Sequence, residues 1–194
     1  MKITMIITLI FLLLPGAKAQ DVHFGAKGGI NISSLNSERY HMQSKLGLNA
    51  GAFAHIHASV KWAVQPELIF STEGGKETLI GSDVTEIHRL NYLNVPVLLQ
   101  YMFRNGLRLE GGPQLGFLIT AKSKTGNTIT NQKSNYQTTA ISIPLGISLL
   151  TRKGIGLDAR YVFGLSNINK ANDPLIQSNV FQFGIFYQHD KWKN

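Results

Sequence analysis

No cysteine occurs anywhere in the 194 residues, which excludes disulfides and thiolate metal sites. Charge is sparse: charged residues make up 15% of the chain, with 11 acidic against 19 basic. The cations are spread along the chain rather than gathered in one short patch, which argues against a nucleic-acid partner and leaves anionic lipid headgroups as the natural counterpart. Also missing is any run of about 20 apolar residues, the length a spanning helix needs. Glycines are numerous (19) but never form a G-x-G-x-x-G or phosphate-loop arrangement, so nucleotide binding has no support.

What is present begins with Met1-Lys2 and a short apolar stretch, Ile3 to Leu14, interrupted only by Thr4 and Thr8. Pro15-Gly16 ends it, and Ala17-Lys18-Ala19 offers small residues before Gln20. A charged start, a short apolar core and an A-x-A site read as a Sec-type signal peptide over residues 1–19. Residues 20–194 are then one exported domain, whose net charge falls from +8 to +6 because Lys2 and Lys18 leave with the signal.

Period two dominates that domain. Leu46, Leu48, Ala50, Ala52, Ala54, Ile56 and Ala58 alternate with Gly47, Asn49, Gly51, Phe53, His55 and His57. Val22, Phe24, Ala26, Gly28, Ile30 and Ile32 likewise alternate with His23, Gly25, Lys27, Gly29, Asn31 and Ser33. Strict alternation means strands with one apolar and one polar face. The pattern recurs over 107–119, 141–149, 155–166 and 181–188, and less cleanly over 62–73 and 88–103, which predicts eight strands. A lipocalin-like soluble barrel alternates too, with its apolar face inward. Here the polar set is small or glycine and the apolar set is Leu, Ile, Phe and Tyr. A narrow eight-stranded interior has room only for packed side chains, so the small polar set belongs inside and the bulky set faces lipid.

Connection lengths support this reading. Links near 59–61, 104–106 and 151–154 are short, with Asn105-Gly106 and Lys153-Gly154 as turn chemistry. Those near 34–44, 74–87, 121–135 and 167–179 are long and polar. Outer-membrane barrels alternate short periplasmic turns with longer external loops in this way. Trp62, Phe103 and Tyr187 fall near the short-turn ends, as an aromatic girdle requires. The expected fold is therefore all-β: an eight-stranded antiparallel up-and-down transmembrane β-barrel in the bacterial outer membrane.

The opening strand, VHFGAKGGINISSL at 22–35, resembles that of the PorT-like outer-membrane β-barrel family. The similarity continues through Gln65-Pro66-Glu67-Leu68, Tyr92 to Leu99, Leu109 to Gly116, Gly156 to Tyr161, and Gly164 to Ile168. The resemblance implies an eight-stranded outer-membrane barrel. It also suggests an accessory role in protein secretion or surface assembly, since the family is named after a member required for type IX secretion. It carries no catalytic residues and implies no cofactor. Partners on this reading are outer-membrane lipid and lipopolysaccharide, with secretion-machinery or other envelope proteins. One departure is the tail: such barrels often finish on an aromatic residue, whereas this chain continues past Tyr187 to Asn194.

Parity places Lys27, Lys45, Glu67, Arg108, Glu110, Asp158 and Arg160 in the lumen. Buried charges must pair or be solvated, so these four cations and three anions form either an ion-pair plug or a polar path for small ions. The narrow interior favours the plug; a structural anchor and a small porin-like channel are the two alternatives to a binding role. His23, His55 and His57 share the inner mouth if the first two strands pair across a loop near residue 39. Grouped imidazoles can bind zinc or copper, but H-x-H on a strand arises readily by chance, and polar filling is the plainer reading. For enzymatic chemistry, His88 with Asp83 and Glu86, and Ser71 or Ser82 as nucleophile, show no spacing suited to a triad; a non-enzymatic barrel is expected. Lys122, Lys124 and Lys133 make the third external loop basic, suited to binding or to neutralising lipopolysaccharide phosphates.

Overall fold

Alternation puts two unlike sets of side chains on opposite faces of each strand, and a sheet so divided is stable when it encloses one face and gives the other a matching solvent. In a computed structural model, which describes residues 22–37, 42–78, 85–171 and 174–189, the sheet closes on itself. Its strands are β1 (Val22–Ser37), β2 (Gln43–His57), β3 (Trp62–Thr78), β4 (Thr85–Met102), β5 (Leu107–Gly111), β6 (Gln114–Thr125), β7 (Thr128–Asn131), β8 (Thr139–Leu150), β9 (Ile155–Gly164) and β10 (Ile176–His189). One turn of 3₁₀ helix, Lys133–Asn135, interrupts the path from β7 to β8. All pairings are antiparallel; β1 pairs with both β2 and β10, and the β3–β4 pairing completes the ring. The expected signal segment, Ser82, Asp83 and the tail from Asp190 lie outside the described residues.

Ten strands appear where eight were expected, for two local reasons. The expected strand over 107–119 is divided at Gly112-Pro113, because proline has no N–H to give the ladder. Register is unbroken across the gap: Gly111 faces Leu99 and Leu145, while Gln114 faces Pro96 and Ser142. The second addition is β7, a four-residue strand that turns back on β6 through Gly126, at φ +57°.

The short turns sit at one end, where Gly106 (φ 85°) and Gly154 (φ 80°) take left-handed conformations. At the other end the strands run on past the apolar belt. The expected loop over 74–87 is mostly strand, with β3 and β4 paired as far as Thr78 and Thr85. Outward residues such as Leu46, Leu48, Leu145 and Ile185 are 71, 67, 51 and 60% exposed, a face that only lipid can cover. Trp62 and Phe103 each contact Tyr101 edge to face at the short-turn end. Among the described residues no helix is long and apolar enough to cross a membrane; strands make the crossing.

Candidate functional site

The inward set fills the barrel in layers. At the short-turn mouth, register puts His23 opposite His55. The ring centroids are 5.2 Å apart for His23 and His57, 4.7 Å for His55 and His57, and 6.3 Å for His23 and His55. The two closer contacts are edge to face, so the rings pack on one another. Among the described residues no group of three or more His, Asp or Glu side chains is arranged to hold a metal ion. His55 is fully buried, with Nδ1 3.2 Å from Gln65 Oε1. Above it, Gln65 donates to Glu67 (2.7 Å), Gln100 to Glu110 (2.8 Å) and Arg108 to Gln188 (3.0 Å).

Arg160 dominates the middle layer. Its Nη1 and Nη2 donate to the two Glu67 oxygens at 2.6 and 2.7 Å, a two-point carboxylate clamp, and its Nε donates to Glu110. Lys27 and Asp158 pair at 2.9 Å beside it. The seven residues expected in the lumen are all buried, and Lys27, Arg108, Glu110, Asp158 and Arg160 line one small void. Lys45 sits a layer higher and donates to the Glu73 backbone carbonyl at 3.4 Å.

Glu73 is a fourth lumen carboxylate, at the last position of the expected strand over 62–73 and outside the expected lumen set. Continuing the parity of Glu67 through Ile69 and Ser71 reaches it. Ser71 (2.9 Å), Asn94 (3.1 Å) and Ser178 (2.9 Å) all donate to its carboxylate. Asn49 donates to Asn31 and Asn31 to Ser71, completing the layer. Ser71 is thus committed to Asn31 and Glu73 rather than to His88, whose partners are the Tyr136 hydroxyl (3.3 Å) and Glu77 (3.8 Å). The described members of the possible triad do not assemble.

Above Glu73 the lumen turns apolar. Leu35, Leu90, Tyr92, Leu118, Ala121, Tyr136 and Ile168 form one buried cluster, with Tyr136 and Ile168 supplied by the segments beyond β7 and β9. Burial, then the charges of Glu86 and Glu77, push the Tyr136 phenol from 10.0 up to about 12. Among the described residues a void beside Glu73 and Tyr92 and another beside Lys27 and Arg160 have about 20 and 10 Å³ open to the centre of a water molecule. Each has room for about one water.

A family model for the outer membrane protein beta-barrel domain matches residues 18–170. No curated protein matches the sequence. Among solved structures, Neisserial surface protein A aligns with a TM-score of 0.60 at 14% identity, over 86% of this chain and 97% of that one. Ail, the attachment invasion locus protein of Yersinia pestis, aligns at 0.55 and 16%, over 87% and 99%. OprG of Pseudomonas aeruginosa aligns at 0.50 and 11%, over 88% and 97%. At such identities the likeness is one of fold.

Proposed function

The chain belongs to the outer membrane protein beta-barrel domain family, and from that premise we propose that it is a non-conducting, non-enzymatic barrel that holds an external sheet and loops as a binding or accessory surface. It is an antiparallel barrel of the bacterial outer membrane. We read β5 and β6 as one stave interrupted at Gly112-Pro113, and β7 as a return of the external hairpin, which gives the wall eight positions. Residues 1–19 serve in this reading as the export signal.

The observation that carries the reading is the filled lumen. Three polar layers and an apolar cap occupy the interior of the described residues, and the voids beside Glu73 and beside Arg160 have room for about one water each. Ion passage needs a continuous wet path, and a cap of Leu, Ala, Ile and two Tyr offers only two phenol oxygens in place of an ion's hydration shell. The charges at the centre then act as an internal brace. The PorT-like resemblance narrows the role to assisting secretion or surface assembly.

Two measurements test this. Purified barrel in planar bilayers should give no steady unitary conductance, and stepwise currents would refute the sealed lumen. A tagged copy taken from its own outer membrane in mild detergent should bring secretion-machinery or other envelope proteins in fixed proportion. Recovery of the barrel alone would leave a structural anchor.

A further inference from the structure

Beyond the apolar belt, the outward faces of β3, β4 and β6 change character row by row. The unbroken apolar face there ends at Phe70, Phe117 and Ile119, each more than 40% exposed. The next row across the ladder is Thr72, Asn91 and Thr120, with Asn91 donating to Thr120 at 2.8 Å. The row after that is Gly74, Arg89, Lys122 and Asn131, and the one beyond is Lys76, Ile87, Lys124 and Ile129. Register thus sets Arg89 directly opposite Lys122, with both side chains exposed.

Height can be worked from the strand. Tyr101, in the inner aromatic girdle, and Asn91 lie ten residues apart on β4. At a tilt of about 40° a strand climbs roughly 2.5 Å per residue, so this spans about 25 Å, the height of the apolar band of such barrels. Arg89 then stands about 5 Å above the band, within the headgroup layer.

Like charges set directly opposite on a sheet repel. Among the described residues no acidic group pairs with Arg89, Lys122, Lys76 or Lys124. Gly74, paired with Arg89, adds no side chain of its own to this row. An anion seated there removes the repulsion. The apolar belt directly beneath calls for an anion that carries acyl chains.

We propose that this face, with Arg89 and Lys122 at its centre and Lys76 and Lys124 above, binds the phosphorylated headgroup of an outer-leaflet glycolipid. The guanidinium takes phosphate oxygens in a two-point contact and the ammonium groups add point charges. The acyl chains lie against Phe70, Phe117 and Ile119. The assignment rests on the long-loop end facing outward, which is tested separately. Asn127→Cys is the sole thiol in that variant, and a membrane-impermeant reagent should label it on intact cells.

The direct test uses the full chain in mild detergent with bisphosphorylated lipid A as probe, read by native mass spectrometry. Folding of each variant is verified by heat-modifiable gel migration. Arg89→Gln with Lys122→Gln should weaken lipid A binding at least tenfold and leave binding of the dephosphorylated lipid unchanged. The charge-keeping Arg89→Lys with Lys122→Arg should stay within about threefold of the parent, as should the inner-end control Lys61→Gln with Arg104→Gln. Equal binding of the two lipids by the parent, or of lipid A by the parent and the glutamine variant, overturns the proposal. Displacement of lipid A by an equal concentration of inorganic phosphate also overturns it, because the site would then take a soluble anion.

Discussion

Replacing Arg160 with methionine is the sharpest perturbation the lumen offers, because one side chain satisfies two buried carboxylates. Its three donor atoms all engage Glu67 or Glu110. Charge-assisted hydrogen bonds contribute roughly 1.5–3 kcal/mol each, which brackets a loss of about 4.5–9 kcal/mol. That bracket is an upper bound, since a water can enter the adjoining void and a carboxylate can take a proton. Removing one partner of a buried pair typically costs about 3–5 kcal/mol, and that is the expected loss for Arg160→Met. Urea titration of the barrel folded in detergent micelles, followed by heat-modifiable gel migration, measures it. A triple variant with Glu67→Gln and Glu110→Gln added should recover most of the loss, because no bare charge remains inside. A loss below about 1 kcal/mol for Arg160→Met would refute the reasoning. It would mean that water solvates these carboxylates and that the lumen is wet.

On the lipid face, Leu145→Arg should cost about 2–4 kcal/mol in lipid vesicles, since it places a cation near mid-membrane; a cost near zero in the same urea titration would place Leu145 inside. Gly112→Val should lower stability by about 1–3 kcal/mol, because a Cβ at Gly112 would lie 2.0 Å from the Val97 carbonyl oxygen; an unchanged urea midpoint would show that the stave yields there. For Tyr136, the folded pKa is raised, so this residue's contribution is present in full below about pH 10 and is lost as pH rises towards 12. Unfolding midpoints should fall over that window, and Tyr136→Phe should remove this part of the fall; a Phe variant with the same decline would place the titration elsewhere.

Parity in the sequence assigned seven charged side chains inward, because a strand offers each side chain only two directions, and all seven are buried. It also set His23 against His55, since a single loop centre fixes the register of neighbouring strands. Three things escaped. Glu73 stands at the very end of the expected strand, beside the polar stretch from Gly74, yet β3 continues to Thr78 because β4 stays paired with it at that end. The interruption at Gly112-Pro113 was present in the letters, but its consequence was not, since register survived on both sides. The apolar cap was missed because parity turns Leu35 and Leu118 inward without showing that Leu90, Tyr92, Tyr136 and Ile168 meet them there, which only closure of the barrel brings about.

The sequence by itself determined an exported, cysteine-free chain of alternating strands with lipid outside and small polar groups within. That followed from local stereochemistry and from the sizes of the two residue sets. Only the tertiary structure decided which charges meet, since Arg160 finds Glu67 93 residues away across the barrel and Ser178 finds Glu73 across 105. Closure of the ring sets those distances, and no local pattern in the chain encodes them. The same closure stacks Arg89, Lys122, Lys76 and Lys124 on one face above the lipid, because neighbouring strands bring together residues far apart in the chain.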